Sequence, residues 1–99
     1  MELRKTNTDL LRKIRNHVLK GAYVVAKHAI TRQEERCITL PDVLRVLEHG
    51  RREQDKDVFD VKWQTWKYAI RGKTINGFNL RVVVSFREEM VIITVIRVN

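Results

Sequence analysis

Residues 63–98 read WQTWKYAIRGKTINGFNLRVVVSFREEMVIITVIRV, and this stretch decides the fold. Apolar and polar side chains alternate along it with the period of a half-buried strand. Phe78, Leu80, Val82, Val84 and Phe86 share one face, and Asn79, Arg81, Val83, Ser85 and Arg87 share the other. On the preceding run Lys67, Ala69, Arg71 and Lys73 lie opposite Trp66, Tyr68 and Ile70. Asn76-Gly77 between the two runs predicts a two-residue type I′ hairpin, whose central residues both take positive φ. Glu88-Glu89 predicts a second tight turn before Met90–Val98. The result is an antiparallel meander with a greasy face and a basic face. The last strand is apolar on both sides (Val91, Ile93, Val95 against Met90, Ile92, Ile96), which predicts a central position or a covered edge.

The region before the meander is helical. Leu10, Leu11, Ile14 and Val18 fall at helical spacing over about 8–20, with Thr6 or Thr8 to cap and Gly21 to stop. Ala22–Ala26 reads as a short strand or a link, and Lys27–Arg36 as a second helix. Thr39, Pro41 and Asp42 open a third helix, which Gly50 ends. The polar stretch 51–60 holds an edge strand or a loop. The expectation is one α+β domain over 1–99, with a leading helix (1–21), a helical part (22–50) and an antiparallel sheet (51–99). The N-terminal helices should pack on one face of that C-terminal sheet.

Charge is distributed in blocks. Residues 10–33 carry six cations and no acid, residues 34–60 carry eight acids and five cations, and residues 61–87 carry six cations and no acid. With a net charge of +8, this clustering favours a polyanion, because each neutralised phosphate releases counterions. Lys67, Arg71, Lys73, Arg81, Ser85 and Arg87 are the candidate nucleic-acid-binding residues of the basic sheet face. An acidic protein partner fits the same charge. Trp63 and Trp66 are candidates for base stacking, but three residues apart they should face opposite sides of a strand, so at least one is expected in the core.

Neither a bilayer-spanning apolar run of about 20 residues nor a signal-peptide core is present, so a cytoplasmic protein without membrane association is expected. The single cysteine, Cys37, is expected as a packed core residue. No glycine-rich phosphate loop and no Cys/His spacing points to a metal or a small-molecule cofactor. Asp55, Asp57 and Asp60 are more simply a polar loop than a cation site.

The densest chemical cluster lies on the second helix, where His28, Arg32 and Arg36 fall at i, i+4 and i+8 on one face. A histidine moves protons near neutral pH and arginine grips phosphate oxygens, as metal-independent RNA cleavage requires. The same spacing also fits a plain surface helix with an Arg/Glu ladder.

The order of these segments resembles the domain-of-unknown-function 4258 family. The likeness runs through Lys27-His28-Ala29, Arg32, Glu35-Arg36, Ile38-Thr39, Asp42-Val43, Val46-Leu47 and Gly50. It continues through Tyr68–Gly72, Leu80–Val84 and Val91–Val95, and covers about Tyr23–Val98, with the leading helix as an addition. Members of that family look like RelE/BrnT-type toxins, small basic proteins in a RelE-like or barnase-like arrangement. The resemblance therefore implies a metal-independent endoribonuclease, encoded beside an acidic antitoxin, with His28, Arg32 and Arg36 as catalytic candidates. A non-catalytic nucleic-acid-binding, regulatory or protein-interaction module is the alternative. Cys37 stands where such proteins usually carry glycine.

Overall fold

The computed structural model describes residues 3–98; positions 1, 2 and 99 of the expected segments lie outside it. Helix α1 (Asn7–Lys20) is capped by Thr6, whose Oγ1 accepts from the Asp9 amide, and stops at Gly21 with φ 67°. Strand β1 (Tyr23–Val25) and helix α2 (Lys27–Glu35) follow. Helix α3 (Leu40–His49) opens on a complete capping box between Thr39 and Asp42. Two short strands, β2 (Arg51–Arg52) and β3 (Val58–Asp60), flank a 3-10 turn at Gln54–Lys56. Strands β4 (Thr65–Lys73), β5 (Asn79–Phe86) and β6 (Met90–Val98) form the expected meander.

The class is α+β, with all three helices ahead of every strand except β1. The six strands run in the order β1-β6-β5-β4-β2, with β3 also on β4, and β1 adds a parallel pair to the antiparallel ladders. The sheet is therefore mixed. Leu10 and Ile14 of α1, Ala29 of α2 and Val43, Val46 and Leu47 of α3 pack with Tyr68, Ile70, Leu80, Val82, Val84, Ile92 and Val95 in one core. All three helices thus lie on one sheet face; the other has no helix over it, although Ala69 and Ser85 on it are fully buried.

Four expectations need correction. The β4–β5 turn is not type I′: Gly77 alone has positive φ (85°), Gly77 N–H donates to the Thr74 carbonyl, and Thr74 N–H donates to that of Phe78. This is a three-residue loop in which only the last residue takes the left-handed conformation. Phe78 lies just outside β5, half exposed, with the Arg97 guanidinium 3.9 Å from its ring centroid. On β6 the pairing skips a residue between Val83↔Thr94 and Val84↔Ile92, so Ile93 is an extra residue and the alternation inverts. Val95 joins Met90 and Ile92 in the core as a result. Cys37 is exposed, because it ends α2 instead of packing, and its φ of 54° is one that glycine adopts without strain.

The polar stretch 51–60 is anchored from beneath. Asp57 has a fully buried carboxylate that accepts from Arg52 Nη2 at 2.6 Å and Nε at 3.1 Å, from Arg4 Nε at 3.2 Å, and from the Ala69 amide at 3.3 Å. Arg52 also donates to the Lys5 carbonyl and lies over the Tyr68 ring. A second fixed point is the approach of α3 to β4. A methyl group at Gly50 would collide with the carbonyl oxygens of Val46 and Arg71, and Gly72 packs against the Gly50 backbone.

Candidate nucleic-acid interface

Strand register gathers the cations of the open face. Arg51 pairs with Arg71 across β2–β4, and Arg71 with Arg81 across β4–β5, so three guanidinium groups form a row over three adjacent strands. Lys73 pairs with Asn79 one step along, and Lys67 with Ser85 in the other direction. Like charges directly opposite one another in a sheet are destabilising, so such a row requires anions.

Glu53 supplies one. Its carboxylate accepts from Arg81 Nε at 2.7 Å and Nη2 at 3.4 Å, and stands 3.7 Å from Arg71 Nη1. The hydrogen bond from Arg81 holds the Glu53 carboxyl below the usual glutamate range, against the desolvation of its partly buried site, and the charges of Arg81 and Arg71 add to the effect. The same bond raises the Arg81 pKa. Because the folded-state pKa of Glu53 is depressed, the pairing stabilises the fold above the ordinary glutamate pKa and is lost as pH falls through the lowered value. Glu53→Gln mimics that loss at neutral pH. It is expected to cost about 1 kcal/mol in a urea melt and to tighten a single-stranded oligonucleotide about fivefold, read by fluorescence anisotropy.

Beside the row is a cleft of about 250 Å³ lined by His49, Gly50, Arg51, Arg71, Gly72, Lys73 and Asn79. The glycines that let α3 approach β4 also shape its floor. Three cations, one imidazole and one amide line this small concavity, the kinds of donor that a phosphate group would need. Sequence reading missed His49 and Arg51. Arg51 lies in the acid-rich middle block, and only its register with Arg71 reveals its place.

The other predicted residues are dispersed. Lys67 is 3.9 Å from Asp60. Ser85 is fully buried, with its hydroxyl 3.1 Å from that of Thr65. Arg87 lies beyond the end of β5, its guanidinium 4.0 Å from the Trp63 ring centroid. On α2, Arg32 Nε reaches His28 Nε2 at 3.5 Å and Arg32 Nη1 reaches Glu35 at 3.4 Å, while Arg36 ends the helix. Because α2 packs on the covered face, this helix cluster and the arginine row lie on different sides of the sheet. Trp66 packs against the core with Phe59 edge-on, and Trp63 is displayed in a turn.

Fold and site together define a small basic α+β protein with an arginine-lined open sheet face. Residues 25–97 match the family described as domain of unknown function (DUF4258), and the chain belongs to that family; α1 lies outside the match. Comparison with curated proteins and with solved structures gives no match, so the likeness to RelE/BrnT-type toxins gains nothing from them. Among the described residues no helix is long and apolar enough to cross a membrane.

Proposed function

We propose that this protein binds RNA through phosphate contacts on its open sheet face and cleaves it without a metal, as the toxin of a toxin–antitoxin pair. The observation that carries the reading is the Arg51–Arg71–Arg81 row, three cations in register on adjacent strands beside the Glu53 carboxylate. Phosphate oxygens would add anionic partners to this row, and the gain is largest for a polymer that spans it. An acidic antitoxin would silence the protein by covering the same surface.

Cleavage requires a base to take the ribose 2′-OH proton, cations to stabilise the added charge on phosphorus, and an acid to protonate the departing 5′ oxygen. His49 is the proton-transferring side chain that shares a cleft with Arg51, Arg71 and Lys73. Induced expression followed by growth and total-RNA integrity tests this reading. Wild type should arrest growth and degrade RNA, His49→Ala should lower cleavage by about 10²- to 10⁴-fold, and His28→Ala should act like wild type. Loss of cleavage in His28→Ala alone would move the centre to α2, and intact RNA with wild type would remove the nuclease reading. A second reading, binding without cleavage, is favoured by the single imidazole in the cleft. It predicts retained RNA and no new fragments.

A further inference from the structure

The open face carries a second concavity, of different chemistry, at the far end of β4 and β5. Its volume is about 590 Å³. Val24 of β1 and Val91 of β6, paired in register, form an apolar floor, and Thr65 of β4 continues it. Trp63 and Arg87 line one side, with the guanidinium carbon 4.0 Å from the indole centroid, and the exposed Glu88 and Glu89 also border the hollow. Val24 and Trp63 are each about half exposed, unusual for apolar side chains meeting in one hollow. The turn that displays Trp63 is held by a bond from its amide to Asp60 Oδ1, and the next residue, Gln64, takes a φ of 53°. The backbone therefore accepts a conformation that non-glycine residues rarely adopt in order to make this turn.

We propose that this cleft is a nucleobase pocket, occupied by a base of the same RNA strand whose phosphates lie on the arginine row. The inference rests on the RNA-binding reading and adds the substrate class, single-stranded RNA. Three observations select the occupant. The Trp63–Arg87 stack is a platform for a planar ring, the arrangement proteins use for unpaired bases. The two rim carboxylates repel phosphate but accept hydrogen bonds from an exocyclic amino group, so adenine and cytosine suit the pocket better than uracil. The pocket also shares a face with the row: Thr65 and Arg71 are six residues apart on β4, about 20 Å, a distance that a few linked nucleotides span. A duplex presents no free base to such a pocket.

The test uses the full chain and 2′-O-methyl octanucleotides of adenosine, cytidine or uridine, which bind but lack the attacking hydroxyl. Wild type should bind the adenosine and cytidine oligomers several-fold tighter than the uridine oligomer. Trp63→Ala should weaken the adenosine oligomer by about 5- to 100-fold without changing the salt dependence of binding, and Trp63→Phe should recover part of the loss. If Trp63→Ala binds the adenosine oligomer as wild type does while salt dependence persists, the base pocket is wrong and the phosphate row stands. If wild type binds none of the oligomers, both readings fall.

Discussion

Replacing Asp57 by alanine is expected to lower the unfolding free energy by about 3–5 kcal/mol, a large part of the roughly 5–15 kcal/mol that stabilises a typical domain. The Asp57 carboxylate is fully buried and the Arg52 side chain nearly so, and their closest approach is 2.6 Å. Removing the acid leaves a guanidinium out of water with the Lys5 carbonyl as its remaining hydrogen-bond acceptor among the described residues. The Ala69 amide loses its carboxylate partner as well, and Arg4 keeps its bond to the Gln54 carbonyl but loses the one to Asp57. The cost is mostly that of the stranded charge. An Arg52→Met/Asp57→Leu double variant, which removes both ions, should therefore recover much of the loss. Urea unfolding at neutral pH, followed by tryptophan fluorescence, reads the effect. A loss below about 1 kcal/mol in Asp57→Ala would mean that this pair does not hold the edge.

That edge matters for function because β2 and the residues after it deliver Arg51 and Glu53 to the open face. The sequence stretch with the highest density of acids thus positions one cation of the row and supplies the carboxylate that pairs with the other two. Sequence reading treated it as an edge strand or loop, and both are present in short form. What it could not supply was register. Whether Arg51 stands opposite Arg71 depends on pairing between segments about 20 residues apart, which no local pattern encodes.

The legible parts were those with local physical causes. Alternation in β5 fixed which of its side chains enter the core, the Thr39–Asp42 spacing fixed the start of α3, and Gly21 marked the end of α1. Non-local causes account for the misses. The bulge at Ile93 inverts β6 to fit its partner strand, and nothing in Met90–Val98 alone announces it. Tyr23–Val25 is too short to declare its parallel partner, β6. The basic face was legible as a face, and the helix cluster as a cluster, because His28, Arg32 and Arg36 are close in sequence. The residues that share the cleft of about 250 Å³ come from α3, β2, β4, β5 and the Gly50 link, so only the folded chain assembles them.

The arginine row is tested most directly by the salt dependence of RNA affinity. Each phosphate contact adds close to one unit to the slope of log K against log salt, somewhat less on a single strand. An Arg51→Ala/Arg71→Ala variant loses two cations of the row, and an Arg32→Ala/Arg36→Ala variant loses the same charge from α2. Net charge falls by two in both, so any difference between them reports position. The measurement is fluorescence anisotropy of a labelled 2′-O-methyl oligonucleotide across about 50–200 mM salt, with wild type and both variants. The account predicts that the sheet variant binds about 30-fold more weakly, from about 1 kcal/mol per lost contact, with a slope shallower by one to two units. The helix variant should keep the wild-type slope. An unchanged slope in the sheet variant, or an equal loss in the helix variant, would contradict it.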